Sequence, residues 1–174
     1  MHRLIHLIVA VVIVASGGLI GRSVAAAQPE PQPVTLPCAT NISAQVLGNT
    51  LPATADGQAL VLARIIFGPG GSIGAHTHPG TLVVSVEAGS LGITLLDQDE
   101  TSVMRAMPAG TPAVAEPMTQ DQEVELAPGD WIVETGMILH GTRNLSEEPT
   151  SVLLTGLIEA GQPLTLCAEG TPTP

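Results

Sequence analysis

No lysine and no tyrosine occur anywhere in the 174 residues, and phenylalanine and tryptophan occur once each. Aromatic side chains therefore cannot build the core, which falls to Val, Leu, Ile and Ala in a chain that is 44% hydrophobic. Positive charge is equally scarce. Five arginines stand against sixteen acids, a formal net charge of −11. Arg3 and Arg22 lie before the first acidic residue, Glu30, so loss of residues 1–27 would leave a net −13. A surface of that sign repels phosphate backbones and anionic lipid, which excludes nucleic acid as a partner. Helical periodicity is also missing beyond the N-terminal segment. The apolar runs are short, β-branched and broken by Gly and Pro, which predicts an all-β domain. The length suits one well-packed domain, and no internal repeat is present.

The N-terminus reads as a targeting segment. Met1-His2-Arg3 supplies a short positive region, residues 4–14 an apolar run, and Ser23-Val24-Ala25-Ala26-Ala27-Gln28 the small residues that a signal peptidase reads. Cleavage after Ala27 is expected, giving a secreted or periplasmic, extracytoplasmic protein. The alternative is an uncleaved membrane anchor, because residues 4–20 approach the length of a span. Arg3 and Arg22 flank that run almost symmetrically, so charge does not choose its orientation. Export gives meaning to the two cysteines. Cys38 stands just before the globular part and Cys167 just after it, and an even count in an oxidising compartment predicts one bridge between the two ends.

Four prolines, Pro29, Pro31, Pro33 and Pro37, mark residues 28–37 as a stiff extended linker. The domain is expected over 38–170, with a frayed tail at 171–174. Strands are predicted at 60–67, 81–86, 91–96, 123–126, 131–134 and 151–158. Turns follow at Gly68-Pro69-Gly70-Gly71, Ala88-Gly89, Asp97-Gln98-Asp99-Glu100 and Pro128-Gly129-Asp130. Residues 107–119, rich in Pro and Ala, are expected to be a loop. Many short strands at this spacing read as a sandwich or closed barrel.

Beyond the leader's His2 and His6, only His76, His78 and His140 remain. In a strand, positions i and i+2 face one side, so His76 and His78 project together. Two imidazoles so placed form half of a divalent-metal site, which a third from a distant strand can complete.

Two stretches around these histidines resemble the cupin superfamily. Its first motif runs glycine, five residues, His-x-His, three or four residues, Glu, six residues, Gly. Gly70-Gly71-Ser72-Ile73-Gly74-Ala75-His76-Thr77-His78-Pro79 matches its opening, and the run from Thr81 through Glu87-Ala88-Gly89 matches its close. The second motif runs glycine, five residues, Pro-x-Gly, two residues, His, three residues, Asn. Gly129 through Thr135-Gly136-Met137-Ile138-Leu139-His140-Gly141-Thr142-Arg143-Asn144 keeps that register. The resemblance spans 59–158. It implies a single cupin barrel, a double-stranded β-helix or jelly roll, after the signal segment, with His76, His78 and His140 as metal ligands.

The chain departs from the family pattern in two places. Counting back from Gly89 puts the family's ligand glutamate at Leu82, with no carboxylate within one residue. Glu87 lies an odd number of positions away and should point outward. Thr135 and Met137 stand where the family has Pro and Gly. The expected ligand set is therefore three histidines, which suits zinc, copper, iron or nickel and suits manganese or magnesium poorly. Met137 is expected to fill core space, with a soft sulfur ligand as the alternative. Trp131 is expected to be structural, and Arg143 to face away from His140. Arg64 and Arg105 are candidates to meet an anionic substrate.

Chemistry also needs an acid or base. With no lysine, no tyrosine and no fourth histidine after the leader, and with the acids read as surface groups, none can be named. Whether the protein is an enzyme stays open. The expected partner is a small molecule, held in an apolar barrel lined by Leu82, Val84 and Val86. A membrane is a partner only if the leader is retained, and a homodimer is left open. Asn41-Ile42-Ser43 and Asn144-Leu145-Ser146 read as glycosylation sequons in a eukaryotic secretory host.

Overall fold

The computed structural model describes residues 30–109, 111 and 113–170. The predicted signal segment and the tail lie outside the described residues. The described chain is all-β, with twelve strands: β1 (Gln32–Val34), β2 (Ala39–Thr50), β3 (Gln58–Thr77), β4 (Gly80–Ala88), β5 (Leu91–Leu95), β6 (Ser102–Arg105), β7 (Val114–Pro117), β8 (Glu123–Leu126), β9 (Trp131–Glu134), β10 (His140–Asn144), β11 (Thr150–Glu159) and β12 (Leu166–Cys167). They form one curled sheet in the order β7-β6-β9-β4-β11-β3-β10-β5-β8, with β2 and β12 also on β3 and β1 on β2. Every pairing is antiparallel.

The long β3 joins the two halves of the sheet. Its first half pairs with β11, from Gln58↔Glu159 to Phe67↔Thr150. Its second half pairs with β10, from Ser72↔Arg143 to His76↔His140. Residues 68–71 were predicted as a turn, yet the strand runs through them. The bend is absorbed there instead, with Gly70 at φ 70° and the β2 register slipping between Thr40 and Ile42.

Alternation places the core. Val61, Ala63, Ile65 and Phe67 of β3, Leu82, Val84 and Val86 of β4, and Val152 and Leu154 of β11 all point inward and are buried. Gly89 turns the chain between β4 and β5 at φ 84°, and a side chain there would run into Thr150. Within the stretch predicted as a linker, Gln32–Val34 pair with Ala44–Val46 and so belong to the sheet. The loop predicted over 107–119 contains β7, paired with β6.

Cys38 and Cys167 are joined in a disulfide that closes 129 residues of chain. Cys167 lies opposite His76 in the β12–β3 ladder, so the bridge fastens the C-terminal segment beside the histidines.

Candidate metal centre

Three strand ends meet at one point inside the barrel. His76 and His78 leave the end of β3, and His140 opens β10 directly opposite His76. Directly opposed residues of an antiparallel pair share a face, which places both rings inside. All three histidines are buried, and their ligating nitrogens lie within 4.8 Å of one another. The trio predicted from the sequence is thus brought together.

Each ring is oriented by a backbone carbonyl. His76 Nδ1 lies 2.8 Å from Gly74 O, His78 Nδ1 2.6 Å from Leu164 O, and His140 Nδ1 3.0 Å from Ile138 O. A carbonyl oxygen only accepts, so each Nδ1 carries the proton and donates. The Nε2 atoms are left as the nitrogens that can ligate. Metal-ligating histidines are held in this way, by a hydrogen bond from the nitrogen that does not ligate.

Glu134, at the end of β9, lies beside the cluster and is the buried acid that the sequence reading missed. It is buried, with Oε2 3.0 Å from His78 Nε2 and Oε1 3.3 Å from His140 Nε2. It is also the direct cross-strand partner of Leu82. A signal for it existed: Glu134 stands two residues from the buried Ile132, in phase with the inward face of its strand. The acids were not all surface groups.

Burial works against charge on Glu134, but the imidazoles of His140 and His78 outweigh it and hold the carboxyl well below its usual range. Burial likewise works to lower His140, and Glu134 raises it. His76 is pushed down to about 3 by burial and by its two imidazole neighbours, so it stays neutral. A carboxylate facing nitrogen lone pairs at these distances needs a positive body between them, either a proton on His140 Nε2 or a cation. His140 Nε2, Glu134 Oε2 and Thr142 Oγ1 are buried without a hydrogen-bond partner. All three residues line the same small cavity, of about 20 Å³. The residues present fit a divalent cation.

The other sequence candidates lie elsewhere. Arg64 pairs with Glu87 on the surface, with Nε to Oε2 at 2.7 Å, so Glu87 points outward as expected. Arg105 pairs with Glu116 and Asp130, and Arg143 pairs with Glu123, facing away from His140 as expected. None of these three arginines reaches the histidine cavity. Met137 neither fills the core nor approaches the centre. It is 69% exposed in the turn before β10, at φ 85°. A left-handed backbone of this kind is one that glycine adopts at no steric cost. Trp131 is half-buried on β9, opposite Ser85 and Met104. Leu82 and Val86 are packed in the core, and of the predicted pocket wall only Val84 lines the cavity.

Asn144 is buried, its Nδ2 donating to the carbonyls of Phe67, Gly68 and Glu148 while its Oδ1 accepts from Ser146 and Thr150. It fastens the end of β10 to the bend in β3, and in the folded chain it is no glycosylation acceptor.

No protein-family model and no curated protein sequence matches the chain. Solved structures do. L-ribose isomerase of Cellulomonas parahominis, solved with L-psicose, is 16% identical over 75% of this chain and 70% of its own, with a TM-score of 0.53. The polyketide cyclase RemF of Streptomyces resistomycificus is 17% identical over 84% of this chain and 87% of its own, at a TM-score of 0.45. A cupin superfamily protein of Desulfitobacterium hafniense is 18% identical over 66% of this chain and 78% of its own, at 0.40.

Proposed function

The chain has the cupin fold, and from that premise we propose that it is an exported cupin whose His76, His78 and His140 hold a divalent metal serving a small molecule. The observation that carries the reading is the convergence of three buried imidazoles, each with its Nδ1 donating to a carbonyl so that Nε2 is the nitrogen free to ligate. Zinc, copper, iron and nickel are the metals that imidazole sets suit. Such a cation, when bound, polarises a substrate oxygen or activates water or dioxygen. The residues supply the rest. The carbonyls of Gly74, Leu164 and Ile138 hold the rings in place, Glu134 stands as a buried carboxylate beside His78 and His140, and the aliphatic walls exclude water.

A cavity of about 20 Å³ accepts one water-sized group. A substrate would therefore present a single polar atom to the centre rather than enter whole. Export is supported by the leader and by the Cys38–Cys167 bridge, which is compatible with an oxidising compartment.

A second reading, a non-enzymatic binding module, is favoured by a separate cavity of about 430 Å³ walled by Leu36, Val46, Val61, Ile158 and Leu164. That volume suits a small ligand. Elemental analysis of purified protein tests the metal: about one ion per chain is expected, lost in His140→Ala. Equal metal in both proteins would refute the triad. Turnover or dioxygen consumption that disappears in His76→Ala separates the enzyme from the binding module.

A further inference from the structure

Leu82 occupies the place where the family resemblance calls for a ligand carboxylate, which makes the site look one anion short. The register of the sheet changes that picture. Leu82 on β4 and Glu134 on β9 are directly opposed, both buried, and hence on the same inward face. Adjacent strands are about 4.8 Å apart, a distance that a glutamate side chain bridges. We infer that Glu134 is the fourth ligand of the metal centre, its carboxylate having changed strands across the β4–β9 ladder. The inference rests on the three-imidazole centre proposed above.

Three observations carry it. The two carboxylate oxygens lie 3.0 and 3.3 Å from the Nε2 atoms of His78 and His140, two of the three imidazoles of the centre. Oε2 is buried without a hydrogen-bond donor. No permanent cation is near: Arg64, Arg105 and Arg143, the arginines among the described residues, pair with Glu87, Glu116, Asp130 and Glu123. A buried carboxylate is retained when it is paired or coordinates a metal. The bound species is then a divalent cation that takes mixed nitrogen and oxygen ligands. The carboxylate brings manganese, which three imidazoles alone serve poorly, back into range.

The test titrates the metal-free wild type, Glu134→Gln and the double exchange Leu82→Glu/Glu134→Leu with Mn²⁺ and with Zn²⁺. Bound Mn²⁺ is read by electron paramagnetic resonance, heat by calorimetry, and folding of each variant by thermal melting. Glu134→Gln should weaken Mn²⁺ binding by about 100-fold or more and Zn²⁺ by about tenfold. The double exchange should recover Mn²⁺ to within about tenfold of wild type. Wild-type Mn²⁺ affinity in Glu134→Gln overturns the fourth ligand. So does equal Zn²⁺ affinity in that variant and wild type with Mn²⁺ taken by neither, and in both cases the imidazole centre still stands. A wild type that takes neither ion overturns the centre and the fourth ligand together. Should Glu134→Gln fail to fold, the double exchange decides: recovered Mn²⁺ binding supports the ligand, and a folded protein that ignores Mn²⁺ overturns it.

Discussion

Asp130 and Glu134 lie four residues apart, both are buried carboxylates, and their surroundings could hardly differ more. Asp130 is fully answered. Its Oδ1 accepts from the Ala106 N–H at 2.7 Å, and its Oδ2 accepts from Arg105 at 2.7 Å and from the Ala127 N–H at 3.1 Å. Burial works to raise its pKa, and those donors outweigh it. Glu134 meets imidazole nitrogens whose protons sit on the far side of the ring, and one of its oxygens has no donor. The first carboxylate ties β6 to the turn before β9 and has its electrostatics closed within the protein. The second is stable only with a cation or proton supplied. A buried charge that the fold satisfies is architecture, and one that the fold leaves open is a site.

The disulfide bears on the second half of that contrast, because it clamps the segment whose Leu164 carbonyl holds His78. Replacing Cys38 and Cys167 by serine should cost up to about 5 kcal/mol, the chain-entropy value for so long a loop. Denaturant titration measures the loss, and metal affinity should weaken with it because His78 loses its anchor. Unchanged affinity would show that the segment stays in place without the bridge.

Asp130→Ala should cost about 3 kcal/mol, since it leaves Arg105 short of one partner and two N–H groups without acceptors. Stability is the expected casualty. If metal content fell while the melting midpoint held, the division between the two carboxylates would be wrong.

Glu134→Gln should cost less in metal-free protein. The imidazoles of His140 and His78 hold the carboxylate charged there, so the amide should lower stability at neutral pH by about 1 kcal/mol, a midpoint loss of about 2–4 °C. An unchanged or higher midpoint would mean that nothing in the metal-free protein answers the buried charge.

The smallest effect belongs to the surface pair of Arg64 and Glu87. Hydrogen bonds from Arg64 and Ser151 hold the Glu87 carboxyl down at about 2. Its contribution is therefore present above the unfolded value of about 4.5 and fades as pH falls toward 2. Both side chains are a third or more exposed, so Glu87→Gln should shift the pH 7 midpoint by about 2 °C or less, and by less still in salt.

The imidazole trio was legible because i and i+2 alternation and motif spacing are local properties. Strands with clean alternation, such as Leu82-Val84-Val86 on β4, were legible for the same reason. Glu134 was not, because its role depends on which strand lies beside β4, and that register is set by pairing across some fifty residues. The polar alternation of β2 and the two-residue β12 carry little apolar signal and draw their stability from β3. Met137 was misread for a related reason. Its side chain suggested the core, while the turn geometry that puts it in solvent is a property of the backbone.

The central claim is that three imidazoles, each protonated at Nδ1, ligate one ion through Nε2. Nitrogen NMR of the histidine rings during zinc titration of the metal-free protein tests it most directly. At one equivalent, the Nε2 resonances of His76, His78 and His140 should move together, with all three Nδ1 protons retained and no proton left on His140 Nε2. A response from only one or two of these rings, or ligation through any Nδ1, would contradict the account.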